Sequence, residues 1–158
     1  MIRAVTPADA PAVVALAVAS ELFPPEDGAI VETMMAAYVA REHANGHACV
    51  IDTDDGGEPL GVAYWQPAEA TDRTWYLTMI GVRRERHRQG RGAALLRHVE
   101  ERLRAGGQRL LLVETSSTPA FDRARTFYRS CGYGEEARVR DFYEPGDHMV
   151  LFRKDLTS

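Results

Sequence analysis

A chain of 158 residues, 45% hydrophobic and 27% charged, is long enough to bury one sizeable core and is composed like a globular domain of ordinary size. No apolar run approaches the ~20 residues of a membrane helix, and the start Met1-Ile2-Arg3-Ala4-Val5 has no signal-peptide hydrophobic region. Two cysteines, Cys49 and Cys131, make neither a disulfide framework nor a metal-ligand spacing, so the reading is one domain over residues 1–158, cytoplasmic, with no membrane partner and no metal.

The net charge of −4 is unevenly spread: five Arg against one Glu give residues 83–91 a charge of +4, leaving −8 on the remainder. A basic run can serve nucleic acid. Here the acidic remainder repels a polyanion, so a compact anionic ligand fits better and no nucleic-acid partner is expected. The same acidity favours a cationic substrate.

Ile2–Val5 is a short apolar segment. Thr6-Pro7-Ala8-Asp9 then supplies an N-cap, a first-turn proline and a first-turn acid. The spacing predicts a helix from about Pro7 to Ser20, burying Val13, Leu16 and Ala17 or else Val14 and Val18. Phe23-Pro24-Pro25-Glu26-Asp27-Gly28 breaks it. A second helix carries Ile30, Met34, Ala37 and Tyr38 at helical spacing and stops at Asn45-Gly46.

The period then changes to two. His47–Asp52 and Leu60–Gln66 read as strands joined by the turn Thr53–Gly57. Pro67–Arg73 is a polar loop, and Thr74–Val82 is the next strand. Ala93–Ala105 is a helix with Leu95, Leu96, Val99 and Leu103 as its apolar stripe and Glu100 and Arg104 on the wet side. Arg109–Thr115 is nearly continuously apolar, as expected of a strand covered on both faces. Thr118-Pro119 opens a helix that ends at Cys131-Gly132. Tyr133–Tyr143 and Met149–Lys154 form a closing strand pair around Glu144-Pro145-Gly146-Asp147. The order is β, two helices, three strands, helix, strand, helix, two strands. It implies an α/β (α+β) fold, a mixed sheet with helices on both faces.

One stretch is built to hold an anion. Ile80, Gly81 and Val82 end a strand, Ala93 opens the periodic helix, and between them lie Arg83, Arg84, Arg86, His87, Arg88, Gln89, Gly90, Arg91 and Gly92. A strand passing through a glycine turn into a helix points several N–H groups at one spot at the positive end of the helix dipole, and arginines add charge. A diphosphate-bearing cofactor suits it. No Gly-Lys-Ser/Thr follows, which excludes a P-loop, and Leu95 stands where a dinucleotide fingerprint needs its third glycine.

With these motifs in this order, the chain resembles the GNAT superfamily of acyl-CoA-dependent N-acetyltransferases over essentially its whole length. The family's phosphate signature, Gln/Arg-x-x-Gly-x-Gly/Ala, is similar to His87-Arg88-Gln89-Gly90-Arg91-Gly92, with His at the first position. A second signature, Asn-x-x-Ala-x-x-x-Tyr followed by Gly-aromatic, is similar to Phe121-Asp122-Arg123-Ala124-Arg125-Thr126-Phe127-Tyr128 and Gly132-Tyr133, with Phe121 in place of Asn. The resemblance implies a mostly antiparallel sheet of about seven strands with a splayed parallel pair, Thr74–Val82 beside Arg109–Thr115. It further implies that acetyl-CoA is the acyl donor. Ile80, Gly81, Val82, the turn through Ala93, Phe121, Ala124 and Tyr128 would hold it. Dimers are common in that family, so a homodimer is compatible with it.

Amide formation from a thioester needs a neutral amine, a polarised carbonyl and a proton for the leaving thiolate. The resemblance gives the N–H near Ile80 to the carbonyl and Tyr128 to the sulfur as general acid. The competing role of Tyr128 is a core aromatic, and that of Cys131 is small buried filler. An aliphatic amine of pKa ~10.4 costs roughly 4–5 kcal/mol to deprotonate at neutral pH, an α-amino group only about 1. Glu114 is the leading candidate base, with Glu21, Glu26, Asp27 and Asp141 as alternatives. Trp65, Trp75, Tyr76 and Tyr143 are either acceptor-lining or core. His43, His47, His87, His98 and His148 have no metal spacing, and His87 reads as an exposed loop residue. The acceptor, a small-molecule or peptide amine, is not named by the sequence. The rival from another class is a non-catalytic acyl-CoA-binding or regulatory module on the same fold.

Overall fold

The computed structural model describes residues 1–20 and 27–158. Its elements are β1 Ile2–Ala4, α1 Ala10–Ala19, α2 Gly28–Ala40, β2 Ala48–Thr53, β3 Pro59–Pro67, β4 Thr74–Val82, α3 Arg91–Ala105, β5 Leu110–Ser116, α4 Asp122–Ser130, β6 Gly134–Glu144 and β7 Asp147–Asp155. Order and type match the expectation throughout. The strands form a seven-stranded sheet in the order β1-β2-β3-β4-β5-β7-β6. It is mostly antiparallel, with β4 and β5 as the parallel pair. That pair follows from its connection: only a crossover segment such as α3 returns the chain in the same direction.

The chain divides into two compact units, one of Met1–Pro67 with Thr78–Glu101, the other of Ala68–Leu77 with Arg102–Ser158. In the first, Val13, Leu16 and Ala17 of α1 join Val31 and Met35 of α2, Cys49 and Ile51 of β2, Val62 and Tyr64 of β3 and Met79 of β4 in one buried cluster. The start of α1 is set as its sequence suggests. The Asp9 carboxylate accepts the Thr6 N–H at 2.7 Å and the Thr6 hydroxyl at 2.9 Å, after a 3-10 turn at Pro7–Asp9. The buried face of α2 differs from the expectation. Val31 and Met35 are buried while Ile30 is 58% exposed, because a helix reading Ala-Ile-Val-Glu-Thr-Met-Met-Ala-Ala-Tyr-Val is apolar nearly all round and its stripe has no unique phase.

In the second unit β5 and β7 pair antiparallel from Leu110↔Asp155 to Ser116↔Met149. Leu111 and Val113 are buried, but Leu110 and Leu112 are only half-buried and Glu114 is exposed. β5 is therefore less fully covered than its composition suggests. Trp75 donates its indole N–H to the Gln108 side chain at 2.7 Å. β6 is exposed along its whole length.

Candidate coenzyme cradle and catalytic residues

In the first unit β4 ends in buried backbone at Met79, Ile80, Gly81 and Val82. Gly61 on β3 permits this close packing. A Cβ there would stand 2.9 Å from Leu95 Cδ1 on α3 and 3.2 Å from the Gly81 carbonyl oxygen. Gly61 was missed from the sequence, although a glycine inside an apolar strand pattern is the ordinary sign of close backbone approach. After Val82 the chain makes a 3-10 turn at Arg84–Arg86 and enters α3 at Arg91, two residues before the expected Ala93.

The turn is shaped by two residues in the left-handed region, Arg88 at φ +62° and Gly90 at φ +73°. Alternation of that kind turns successive N–H groups inward into an anion-binding concavity, and the first N–H groups of α3 have no intrahelical acceptor. Space in front of Gly90 is open, since nothing lies within 4 Å of a Cβ built there. These features fit a diphosphate, with backbone from Arg88 through Ala93 as the donors.

The side chains divide differently from what the run of arginines suggests. Arg83 Nε donates to the Pro59 carbonyl at 2.8 Å. Arg91 Nη1 donates to Asp52 Oδ2 at 2.7 Å. His87, expected as an exposed loop residue, is half-buried, and its Nε2–H donates to the Val82 carbonyl at 2.7 Å. Arg84, Arg88 and Gln89 are exposed and Arg86 is half-buried. Arg83 and Arg91 thus fasten the turn, while Arg84 and Arg88 face outward. Glu100, expected on the wet side of α3, is 3% exposed; it lies four residues after Leu96 and shares the buried face.

The second unit holds most of the remaining candidates. Its β4–β5 ladder registers Thr74, Trp75 and Tyr76 with Leu110, Leu111 and Leu112, and both strands continue beyond it, to Val82 and Ser116. Phe121 lies in a 3-10 turn, Pro119–Phe121, immediately before α4 rather than on the helix itself. Phe121 and Ala124 are half-buried, and Tyr128 is 7% exposed. The Tyr128 ring sits 5.4 Å from Phe127, 6.0 Å from Tyr133 and 5.5 Å from Phe152, centroid to centroid. It is a core aromatic by packing. Burial, with the Cys131 thiol nearby, pushes its hydroxyl well above the usual phenol range, so it stays an O–H donor throughout the neutral range. Cys131, expected as buried filler, is half-buried; Cys49 is the buried one.

Arg125, missed from the sequence, is 8% exposed. Its Nη1 donates to the Ser116 carbonyl at 2.6 Å and the Thr118 carbonyl at 2.9 Å. It fixes α4 to the end of β5 and so sets where Tyr128 stands. Its position three before Tyr128 was the available signal, since i and i+3 share a helix face.

Glu114 is exposed on β5. It belongs with Tyr143, whose hydroxyl is pushed up to about 12 by burial and by the charges of Glu114 and Asp147. Tyr143 and Phe142 on β6 are 45% and 52% exposed and meet edge to face at 5.0 Å. Beside them Asp141 adopts φ +55°, with its N–H donated to His148 Nδ1 at 2.9 Å and its carboxylate accepting the Gly146 N–H, also at 2.9 Å. Trp65 is buried, and Trp75 and Tyr76 are half-buried. Asp27 is half-buried at the start of α2, while Glu21 and Glu26 lie outside the described residues. Among the described residues no three His, Cys, Asp or Glu side chains converge as metal ligands, and no helix is long and apolar enough to cross a membrane.

A mixed seven-stranded sheet with one parallel pair, a left-handed turn opening α3 at the end of β4, and a buried tyrosine on the next helix define an acyl-CoA-using transferase fold. The GNAT acetyltransferase family profile matches residues 15–133, and the chain belongs to that family. A protein assigned to the same family from Desulfovibrio desulfuricans is 31% identical over 99% of this chain and 98% of its own, with a TM-score of 0.92. The ribosomal-protein-S18-alanine N-acetyltransferase of Escherichia coli shares the fold at 21% identity, covering 99% and 93% of the two chains, TM-score 0.79. An aminoglycoside 6'-N-acetyltransferase, solved with coenzyme A, shares it at 15% identity over 99% and 97%, TM-score 0.80. No curated protein matches the chain in sequence.

Proposed function

We propose that the protein transfers the acetyl group of acetyl-CoA to a primary amine by direct attack, with Tyr128 as general acid. The observation that carries the donor is the turn from Arg88 to Ala93, where left-handed Arg88 and Gly90 turn N–H groups toward one open spot. The aminoglycoside enzyme solved with coenzyme A has the same fold, which supports the same ligand here.

Acetyl-CoA supplies an activated acyl carbon and a thiolate leaving group. Backbone N–H groups of Arg88 to Ala93 hold the diphosphate, assisted by the helix dipole. Ile80 and Val82 offer strand backbone to the pantetheine arm, and the N–H near Ile80 donates to the thioester carbonyl as negative charge develops there. As the C–N bond forms and the C–S bond breaks, Tyr128 gives its proton to the sulfur. The amine gives up a proton in turn, so the products are an amide and free thiol. Phe121 and Ala124 line the arm's apolar part. Glu114, exposed beside Tyr143, takes the amine proton directly or through water. The amine acceptor is a small molecule or a peptide.

The test is thiol release from acetyl-CoA across a panel of primary amines, with mass spectrometry of the acetylated product. Turnover with at least one amine, greatly slowed in Tyr128→Phe, is expected. Acetyl-CoA binding with no turnover on any amine would favour a non-catalytic binding module. Unchanged turnover in Tyr128→Phe would remove that residue from the mechanism.

A further inference from the structure

Arg91 sits between the two glycines of the cradle, the obvious place for a phosphate-binding cation, yet its guanidinium is directed elsewhere. Nη1 donates to Oδ2 of Asp52 on β2 at 2.7 Å. The Asp52 carboxylate is buried, with a 7% exposed side chain, and its Oδ1 accepts the Met1 amino group at 3.1 Å. Arg91 Nε is buried with no hydrogen-bond partner. With Nε orphaned and the side chain 27% exposed, the guanidinium is held in place by its one strong contact, the charge-assisted bond to Asp52. That contact joins the first residue of α3 to a strand remote in sequence. It fixes the helix start whose N–H groups form the cradle.

We infer that Asp52 is the positioning residue of the coenzyme cradle, acting through Arg91 to hold the first turn of α3, and that Arg91 is a strut rather than a phosphate ligand. The inference rests on the reading of the turn as a coenzyme A site. Neutralising Asp52 leaves Arg91 with a weaker acceptor and lets the first turn of α3 shift. A phosphate-bearing ligand feels that shift, because charge-assisted hydrogen bonds depend strongly on distance and angle. A ligand lacking the phosphates does not.

The experiment measures dissociation constants of coenzyme A and of pantetheine for the intact wild-type protein, Asp52→Asn, Arg91→Met and the double variant. Asp52→Asn is expected to weaken coenzyme A about tenfold, the worth of one charge-assisted hydrogen bond, with pantetheine unchanged. In the Arg91→Met background the same substitution should have no further effect on coenzyme A. Equal coenzyme A affinity in wild type and Asp52→Asn would overturn the inference, as would additive losses in the double variant or equal losses for pantetheine. Arg91→Lys, which keeps the charge and can reach Asp52, should restore most of the affinity lost in Arg91→Met. Failure of coenzyme A to bind the wild type at all would instead overturn the coenzyme site itself.

Discussion

In the turn after β4, three side chains fold back onto the protein: Arg83 onto Pro59, His87 onto Val82 and Arg91 onto Asp52. In the hairpin of β6 and β7, all eleven residues of β6 are exposed, the ladder slips between Val139 and Glu144, and Phe142 and Tyr143 present their rings outward. The first region fixes backbone donors and spends side-chain charge on doing so. The second ties Asp141 into its own turn and pairs Glu135 with Arg138, but leaves Phe142 and Tyr143 outward around a bulged backbone. A ligand whose polar end is always the same diphosphate is best met by a preset backbone, whereas surface side chains are free to differ from one acceptor to another.

Substitutions can break this contrast or sharpen it. The largest expected effect comes from neither region but from Tyr128, the proposed proton donor. Tyr128→Phe should lower kcat by about 10²–10³-fold, with both Michaelis constants nearly unchanged. The burial that raises the Tyr128 pKa also predicts its pH behaviour. Folding favours the neutral phenol, so its stabilising contribution is complete below the ordinary tyrosine pKa of ~10 and is lost as pH rises beyond it. Thermal melts of wild type should therefore lose more stability above about pH 10 than melts of Tyr128→Phe.

Within the cradle, Gly90→Ala meets no atom, so its penalty is the φ alone. A cost of about 1–2 kcal/mol should raise the acetyl-CoA KM roughly tenfold while leaving the acceptor KM unchanged. An equal change in both constants would mean that the two regions are not separable. Gly61→Ala is the steric counterpart. Its Cβ stands 2.9 Å from Leu95 Cδ1 and 3.2 Å from the Gly81 oxygen. A destabilisation of about 1–3 kcal/mol is expected in chemical denaturation, together with a higher acetyl-CoA KM as Gly81 is pushed.

On β5, Glu114→Gln should lower the pKa of Tyr143 on the hairpin from about 12, seen as phenolate absorbance appearing at lower pH. It should change acceptor kinetics without altering coenzyme A affinity. A Tyr143 titration indifferent to Glu114 would separate the two groups and weaken the case for Glu114 as base.

Most of the fold could be read from local pattern. Gly132 and Gly146, both at positive φ, end elements where the sequence says they end, because few other residues tolerate that backbone. The turn into α3 was readable for the same reason at Gly90. At Gly46 the sequence overshoots, since α2 stops at Ala40 and a separate 3-10 turn, Glu42–Asn45, runs up to the glycine. What escaped was set by contacts between distant segments. The pairing of Arg91 with Asp52, 39 residues away, carries no periodic signal, and a run of arginines looks alike whether it faces a ligand or a carboxylate. The face of α2 escaped because nearly every residue on it is apolar. Arg125 escaped because its burial depends on partners outside its own pattern, the carbonyls of Ser116 and Thr118 with the Asp122 carboxylate at 3.4 Å, which satisfy the guanidinium.

The claim that the turn after β4 is the coenzyme A site is tested most directly by amide hydrogen exchange with and without coenzyme A. Slowed exchange concentrated in the amides from Arg88 to Ala94 is predicted, with little change along β6. Binding that protects β6 or other segments while leaving Arg88–Ala94 unaltered would contradict it.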